Sequence, residues 1–141
     1  MNLFREAADI KTGDQLHLPA PEVEYHTVVA QPSEIQKKMV QQLSDRAAAV
    51  HSGSVDASID NMLRITSDGR KLGLDQRITN PLLPDEPQSK VNQCVANVMQ
   101  IWRDGMAERT TQLIFCDLST PKAGAGFSVY DDIRAKLMAQ G

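Results

Sequence analysis

The feature that most constrains the fold is a short apolar run at residues 111–117, with the sequence TQLIFCD. Its four central residues are all apolar and do not alternate with polar ones. Such a run suits a strand that is covered on both faces, as in a parallel sheet between layers of helices. Helical patterns flank it at about 89–106 and 128–139, and a helix–strand–helix order is typical of α/β proteins. The sequence therefore predicts an α/β fold in which residues 111–117 form a central strand.

The composition predicts an ordinary globular domain. The chain has 141 residues, of which 41% are hydrophobic and 23% are charged, so one domain with its own core is expected. The net charge of −3 argues against a stand-alone nucleic-acid binder that ignores sequence, because such proteins are normally basic. Cys94 and Cys116 both fall on apolar patterns and are expected to be buried, reduced thiols.

The first residues of the chain carry charge too early to resemble a signal peptide, and no window reaches the length of a membrane span. No contact with membranes is therefore predicted. The expected location is the reducing cytoplasm.

Cap and turn signals predict the remaining elements. Residues 22–30 contain β-favouring side chains and are predicted to form a second strand. Ser33 and Gln36 have the spacing of a capping box at the start of a long amphipathic helix. Ser58 is a candidate cap for the next helix, and Ser89 and Ser128 are candidate caps for the two helices beside the central strand. Three prolines interrupt the helical pattern shortly before Ser89.

The order and spacing of five segments carry a resemblance to a known family. They are residues 24–29, 32–36, 74–81, 89–91 and 112–117. In this order they resemble the Swi/Snf-like branch of superfamily 2 helicases, at the start of the second RecA-like domain. Within that branch they are most similar to the large helicase–methyltransferase polyproteins of phages and mobile elements. Residues 112–117 correspond to helicase motif IV.

The resemblance covers about residues 16–141 and implies a fold and an activity. The implied fold is a helix-rich, partial RecA-like unit with a small sheet of about two to three strands. Residues 1–22 would be an extended lead-in, and residues 23–141 would be the N-terminal part of the second motor domain, with a helical insert at about 51–87. The intact parent would be a DNA-dependent ATPase that uses ATP and Mg²⁺, with DNA and the remaining helicase lobes as partners.

The chain departs from the family pattern at the residues that perform the chemistry. Asn80 and Pro81 lack the intervening His, and Ser89 and Lys90 lack the Gly between them. The sequence contains no Gly-x-x-x-x-Gly-Lys-Ser/Thr phosphate loop. Residues 85–86 are acidic but lie between prolines rather than after a strand, and the arginine finger of motif VI would lie beyond the last residue. Phosphoryl transfer needs these groups together, so the chain alone is expected to be inactive towards ATP, without catalytic or cofactor-binding residues.

Two groups of residues are candidates for contact with nucleic acid. The polar loop at 119–126 follows motif IV, and its hydroxyls, lysine and glycines suit contact with phosphate; the candidates there are Ser119, Thr120 and Lys122. The middle helices carry a second group of basic residues, Arg64, Arg70 and Arg77, which suits phosphate contact. The alternatives remain open. The loop is then only a flexible connection, and the basic residues belong to a solvated face with Asp60, Asp68 and Asp75.

The sequence leaves other functional classes open. The alternative to a helicase fragment is a non-enzymatic nucleic-acid- or protein-binding scaffold module. A small α/β enzyme with its site at 119–126 is a further alternative. The histidines His17, His26 and His51 are scattered, and no cluster has metal-ligand spacing, so no metal site is predicted. A small sheet would leave an unpaired strand edge, which predicts a homo-oligomer.

Overall fold

The computed structural model describes residues 8, 11–16, 22–121 and 126–141. These residues contain six helices and no strand. The helices are α1 (Gly13–Leu16), α2 (Glu34–His51), α3 (Met62–Leu74), α4 (Gln76–Thr79), α5 (Lys90–Asp104) and α6 (Val129–Gln140). None of them combines the length and the apolar character that a helix needs to cross a membrane.

Three of the predicted helix starts are confirmed. The Gln36 amide donates to Ser33 Oγ at 3.0 Å and the Ser33 amide donates to Gln36 Oε1 at 2.9 Å, which completes the capping box of α2. Ser89 and Ser128 cap α5 and α6 in the same way, each accepting a hydrogen bond from a backbone amide of the first turn. The predicted cap at Ser58 is wrong, because α3 begins later and Asn61 caps it.

The core lies between three helices. Helix α3 packs on α2, α4 and α5, and α5 packs on α6. The buried apolar side chains come from α3, α5 and α6; they are Ile65, Leu72, Val91, Val95, Met99 and Val129. Helix α2 contributes no buried residue. The result is a small helical domain with a narrow core.

The predicted α/β fold and its small RecA-like sheet are wrong for the described residues. Residues 22–30 and 111–117 form neither helix nor strand, and no hydrogen bond between backbone groups joins either segment to another part of the described chain. Phe115 and Leu113, predicted to be buried on both faces, are 90% and 78% exposed. Residues with high β propensity form a strand only when their backbone groups are hydrogen-bonded to a neighbouring strand. These two segments do not pair with each other, so their β propensity is not realised.

Candidate functional site

The loop candidates have different surroundings. The backbone of Ser119 is left-handed, with φ 58°, and its hydroxyl accepts a hydrogen bond from the Val129 amide at 3.0 Å. Its carbonyl accepts one from Ser128 Oγ at 3.3 Å. Ser119 therefore holds the start of α6. Thr120 is exposed, and Lys122 lies outside the described residues.

The three candidate arginines have separate partners. Arg64 Nη1 donates to the Ile59 carbonyl at 3.0 Å. Arg70 forms an ion pair with Asp117, and both side chains are exposed. Arg77 is buried and lies among a cluster of three carboxylates, of which that of Asp75 is also buried. Each guanidinium therefore interacts with a different part of the chain.

Arg77 is the centre of that cluster. Its Nε and Nη2 donate to the two oxygens of Asp75 at 3.0 and 2.8 Å, and Nη1 and Nη2 donate to Asp132 at 3.2 and 2.8 Å. The guanidinium also lies over the ring of Phe127, 4.3 Å from its centroid, which favours a cation. Hydrogen bonds to Asp75, followed by those to Asp132, raise the pKa of Arg77 above its usual value although burial opposes this.

A second cation completes the cluster. Lys136 Nζ lies 2.7 Å from an oxygen of Asp85 and 2.7 Å from an oxygen of Asp132. Burial favours the protonated form of Asp85, but its pKa is lowered overall by the adjacent ammonium of Lys136, by a hydrogen bond from Asn92 and by the charge of Arg77. The cluster thus joins α4, the proline-rich loop and α6.

Three carboxylates of this cluster are close enough to raise the question of a metal ion. Oxygens of Asp75, Asp85 and Asp132 lie within 4.8 Å of one another. The guanidinium of Arg77 and the ammonium of Lys136 already contact these carboxylates and neutralise two of the three charges. We therefore interpret the cluster as a structural ion-pair network.

Most of this cluster was not predicted from the sequence. Asp132 and Lys136 stand one helical turn apart on α6, a spacing that predicts a surface pair. Nothing in the sequence indicates that Arg77 of α4 contacts Asp132, which follows it by 55 residues. The short segment before α4 gives a weak local signal, because Asp75 caps that helix.

An open groove lies along α5. It is lined by residues of the segment 22–30, by residues 112–115 and by one side of α5. Its volume is about 450 Å³. The residues that line it are His26, Val28, Ala30, Lys90, Gln93, Cys94, Asn97, Val98, Ile101, Gln112, Leu113, Ile114 and Phe115. The two segments predicted to be strands thus line one groove together with α5.

The segment 111–117 is anchored near both ends. Gln112 Nε2 donates to the Val98 carbonyl of α5 at 3.0 Å, and the Tyr130 hydroxyl of α6 donates to the Cys116 carbonyl. Burial raises the pKa of the Cys94 thiol, and the nearby Cys116 raises it further. These contacts hold the segment against α5 and α6.

Exposure alternates along the segment 111–117. Leu113, Phe115 and Asp117 are strongly exposed, whereas Gln112 and Cys116 are half-buried and Ile114 is the least exposed of the three central apolar residues. Alternation with a period of two residues indicates an extended backbone with one face towards the helices. The open face presents Leu113 and Phe115 at its centre, and the backbone groups of these residues have no backbone partner in the described chain.

Comparison of the chain with protein-family models, with curated proteins and with solved structures found no match. The resemblance to helicases therefore remains a prediction from motifs.

Proposed function

We propose that this chain is a non-enzymatic protein-binding module whose groove along α5 receives an extended polypeptide segment. One observation carries the proposal. Two segments that carry exposed apolar side chains, and whose backbone groups form no hydrogen bond with other backbone groups of the described chain, line the same groove. An extended peptide added to such an edge gains hydrogen bonds from the main chain and pockets for alternate side chains.

The exposed side chains favour binding of an apolar partner. Contiguous apolar surface of this kind marks interaction sites in soluble proteins. Complete burial of Leu113 or of Phe115 would contribute about 1.5–3 kcal/mol each. Part of this gain offsets the cost of ordering the partner.

The lining of the groove defines the chemistry of the peptide. The lining is apolar at Val28 and Leu113, and Gln93 and Asn97 of α5 contribute amide side chains to it. Lys90 lies at the beginning of α5 and forms no ion pair within the described residues. We therefore expect a segment in which apolar and polar residues alternate, with an acidic residue near Lys90.

The test uses a matched pair of exposed leucines. Leu113 in the groove lining and Leu63 on α3 are 78% and 82% exposed, so neither substitution by Asp should unfold the protein. Binding of labelled heptapeptides with alternating apolar residues is measured by fluorescence anisotropy. Leu113→Asp should weaken binding at least about tenfold, which corresponds to 1.4 kcal/mol, and Leu63→Asp should leave it unchanged. Equal effects of the two variants, or no binding of any peptide, would contradict the proposal.

A second candidate function is a contribution to a larger DNA-dependent, helicase-like ATPase, with DNA and the remaining motor lobes as partners. The supporting observation is that the segments at 24–29 and 112–117, which the resemblance assigns to one lobe, line one groove. ATP and Mg²⁺ would be bound by the intact parent. The two free thiols are compatible with the proposed cytoplasmic location.

This second candidate has its own tests. The purified chain should not hydrolyse ATP, and steady-state turnover that survives repurification would overturn that expectation. Binding to DNA should be weak and strongly dependent on salt. Sub-micromolar affinity at physiological salt that is insensitive to changes at Arg64, Arg70 and Lys122 would contradict both the weakness and the site.

A further inference from the structure

We infer that the segment received by this chain is residues 111–117 of a second copy, paired antiparallel about Ile114. The inference rests on the proposed function and names its partner. It starts from the sequence of the segment itself, which is apolar at its centre and polar at both ends. Such a segment is complementary to its own reversed copy, as a two-fold symmetric contact requires.

The register follows from the positions of the exposed side chains. With Ile114 on the two-fold axis, Leu113 of each copy lies opposite Phe115 of the other. These are the two large apolar side chains that the single chain leaves most exposed in this segment. Aliphatic–aromatic pairs across neighbouring strands are favourable. The arrangement therefore brings both exposed residues of each copy into contact with an apolar side chain of the other.

The charges favour the antiparallel arrangement over the parallel one. In the antiparallel register Asp117 lies opposite Thr111 of the other copy, and its ion pair with Arg70 is kept. In a parallel register without offset, the two Asp117 carboxylates would lie side by side, which is unfavourable. The acidic residue therefore selects between the two orientations.

The backbone of the segment has one free edge. The Cys116 carbonyl accepts a hydrogen bond from Tyr130, so this carbonyl points towards α6. Carbonyls of successive residues in an extended chain point to opposite edges, which places those of Leu113 and Phe115 at the edge away from α6. Leu113 and Phe115 of opposite copies then exchange both of their backbone hydrogen bonds, as one type of antiparallel pair does.

The experiment is sedimentation velocity over a range of concentrations, with a reductant present to keep the thiols from cross-linking. The wild-type chain should form a dimer. Phe115→Asp should raise the dimer dissociation constant at least tenfold, and Leu63→Asp should leave it unchanged. Thr111→Lys should lower the constant several-fold, because the new lysine faces Asp117 in the antiparallel register only.

Each result decides the inference. A monomer at every concentration, equal loss in Leu63→Asp, or a weaker dimer in Thr111→Lys would overturn it. The labelled peptide TQLIFCD and the panel of alternating heptapeptides separate this failure from failure of the proposed function. If panel peptides bind but the chain stays monomeric, only the second copy is excluded as the partner. If nothing binds, both the inference and the proposed function are wrong.

Discussion

The surroundings of Arg77 and the segment 111–117 reverse the usual distribution of polarity in a small protein. Two charged side chains are buried in the first region, since Arg77 is 8% and Asp75 only 1% exposed. In the segment 111–117, leucine and phenylalanine side chains face solvent. The two regions differ in whether their groups have partners. The charges have theirs within the same chain, whereas the apolar side chains of the segment have none there in the described residues.

The charged groups around Arg77 are satisfied within one chain, whereas the apolar side chains of the segment 111–117 are free to contact another molecule. Buried ions are tolerated because paired charges and hydrogen bonds replace the lost water, so each member depends on the others. Exposed apolar residues have no such dependence, and changing them should leave the single chain folded. The following changes test this difference, from the largest expected effect to the smallest.

Replacing Arg77 by Met should have the largest effect on stability. The change leaves the buried carboxylate of Asp75 and that of Asp132 without their main partner. The free energy of unfolding should fall by about 3–5 kcal/mol, as measured by urea denaturation. The matched control is Arg64→Met on the exposed face of α3, which should change stability by less than about 0.5 kcal/mol. A loss below about 1 kcal/mol in Arg77→Met would show that the cluster is not structural.

A pair of leucine substitutions compares the core with the segment directly. Leu72 is buried in α3 and Leu113 is not. Leu72→Ala should lower the free energy of unfolding by about 2–5 kcal/mol, and Leu113→Ala should change it by less than about 0.5 kcal/mol, both measured on dilute, monomeric protein. Phe115→Ala should likewise change the free energy of unfolding by less than about 0.5 kcal/mol. Burial of Phe115 on both faces would instead predict a loss of about 3–5 kcal/mol. Similar losses at both leucines would mean that the segment is packed in solution.

The cluster should also make stability depend on pH. The pKa of Asp85 is lower in the folded protein than in the unfolded chain, so its contribution is present at neutral pH. That contribution is lost as the pH falls below about 4 and the carboxylate is protonated. Asp85→Asn should be less stable than the wild type at pH 7, and the difference should shrink in acid, as measured by thermal unfolding. A difference independent of pH would contradict this, and exposed Glu108→Gln provides the control.

The helix caps could be predicted from sequence because each depends on residues three positions apart. Ser33, Ser89 and Ser128 all cap helices as expected. Strand propensity at 111–117 did not predict a strand, since its realisation depends on a neighbour that local sequence does not specify. The alternation of exposure was missed for the same reason. An uninterrupted apolar run says nothing about which face is covered.

The candidate site shows the same limit. The sequence singled out Arg77 for its charge but not for its partners, because Asp132 and Lys136 are brought to it by the packing of α6. The sequence also singled out both segments that line the groove, but as strands of a sheet. What could not be predicted is that they line a groove with α5 without pairing, because that depends on how α3, α5 and α6 pack.

Hydrogen–deuterium exchange of the backbone amides of Leu113 and Phe115 tests the central claim most directly. The claim is that the segment 111–117 is unpaired in one chain and paired between two. In dilute protein these amides should exchange rapidly, and they should become protected as the concentration is raised through the dimer dissociation constant. The amides of Val95 and Met99 in α5 should be protected throughout. Protection of Leu113 and Phe115 already at the lowest concentration, or rapid exchange at every concentration, would contradict the account.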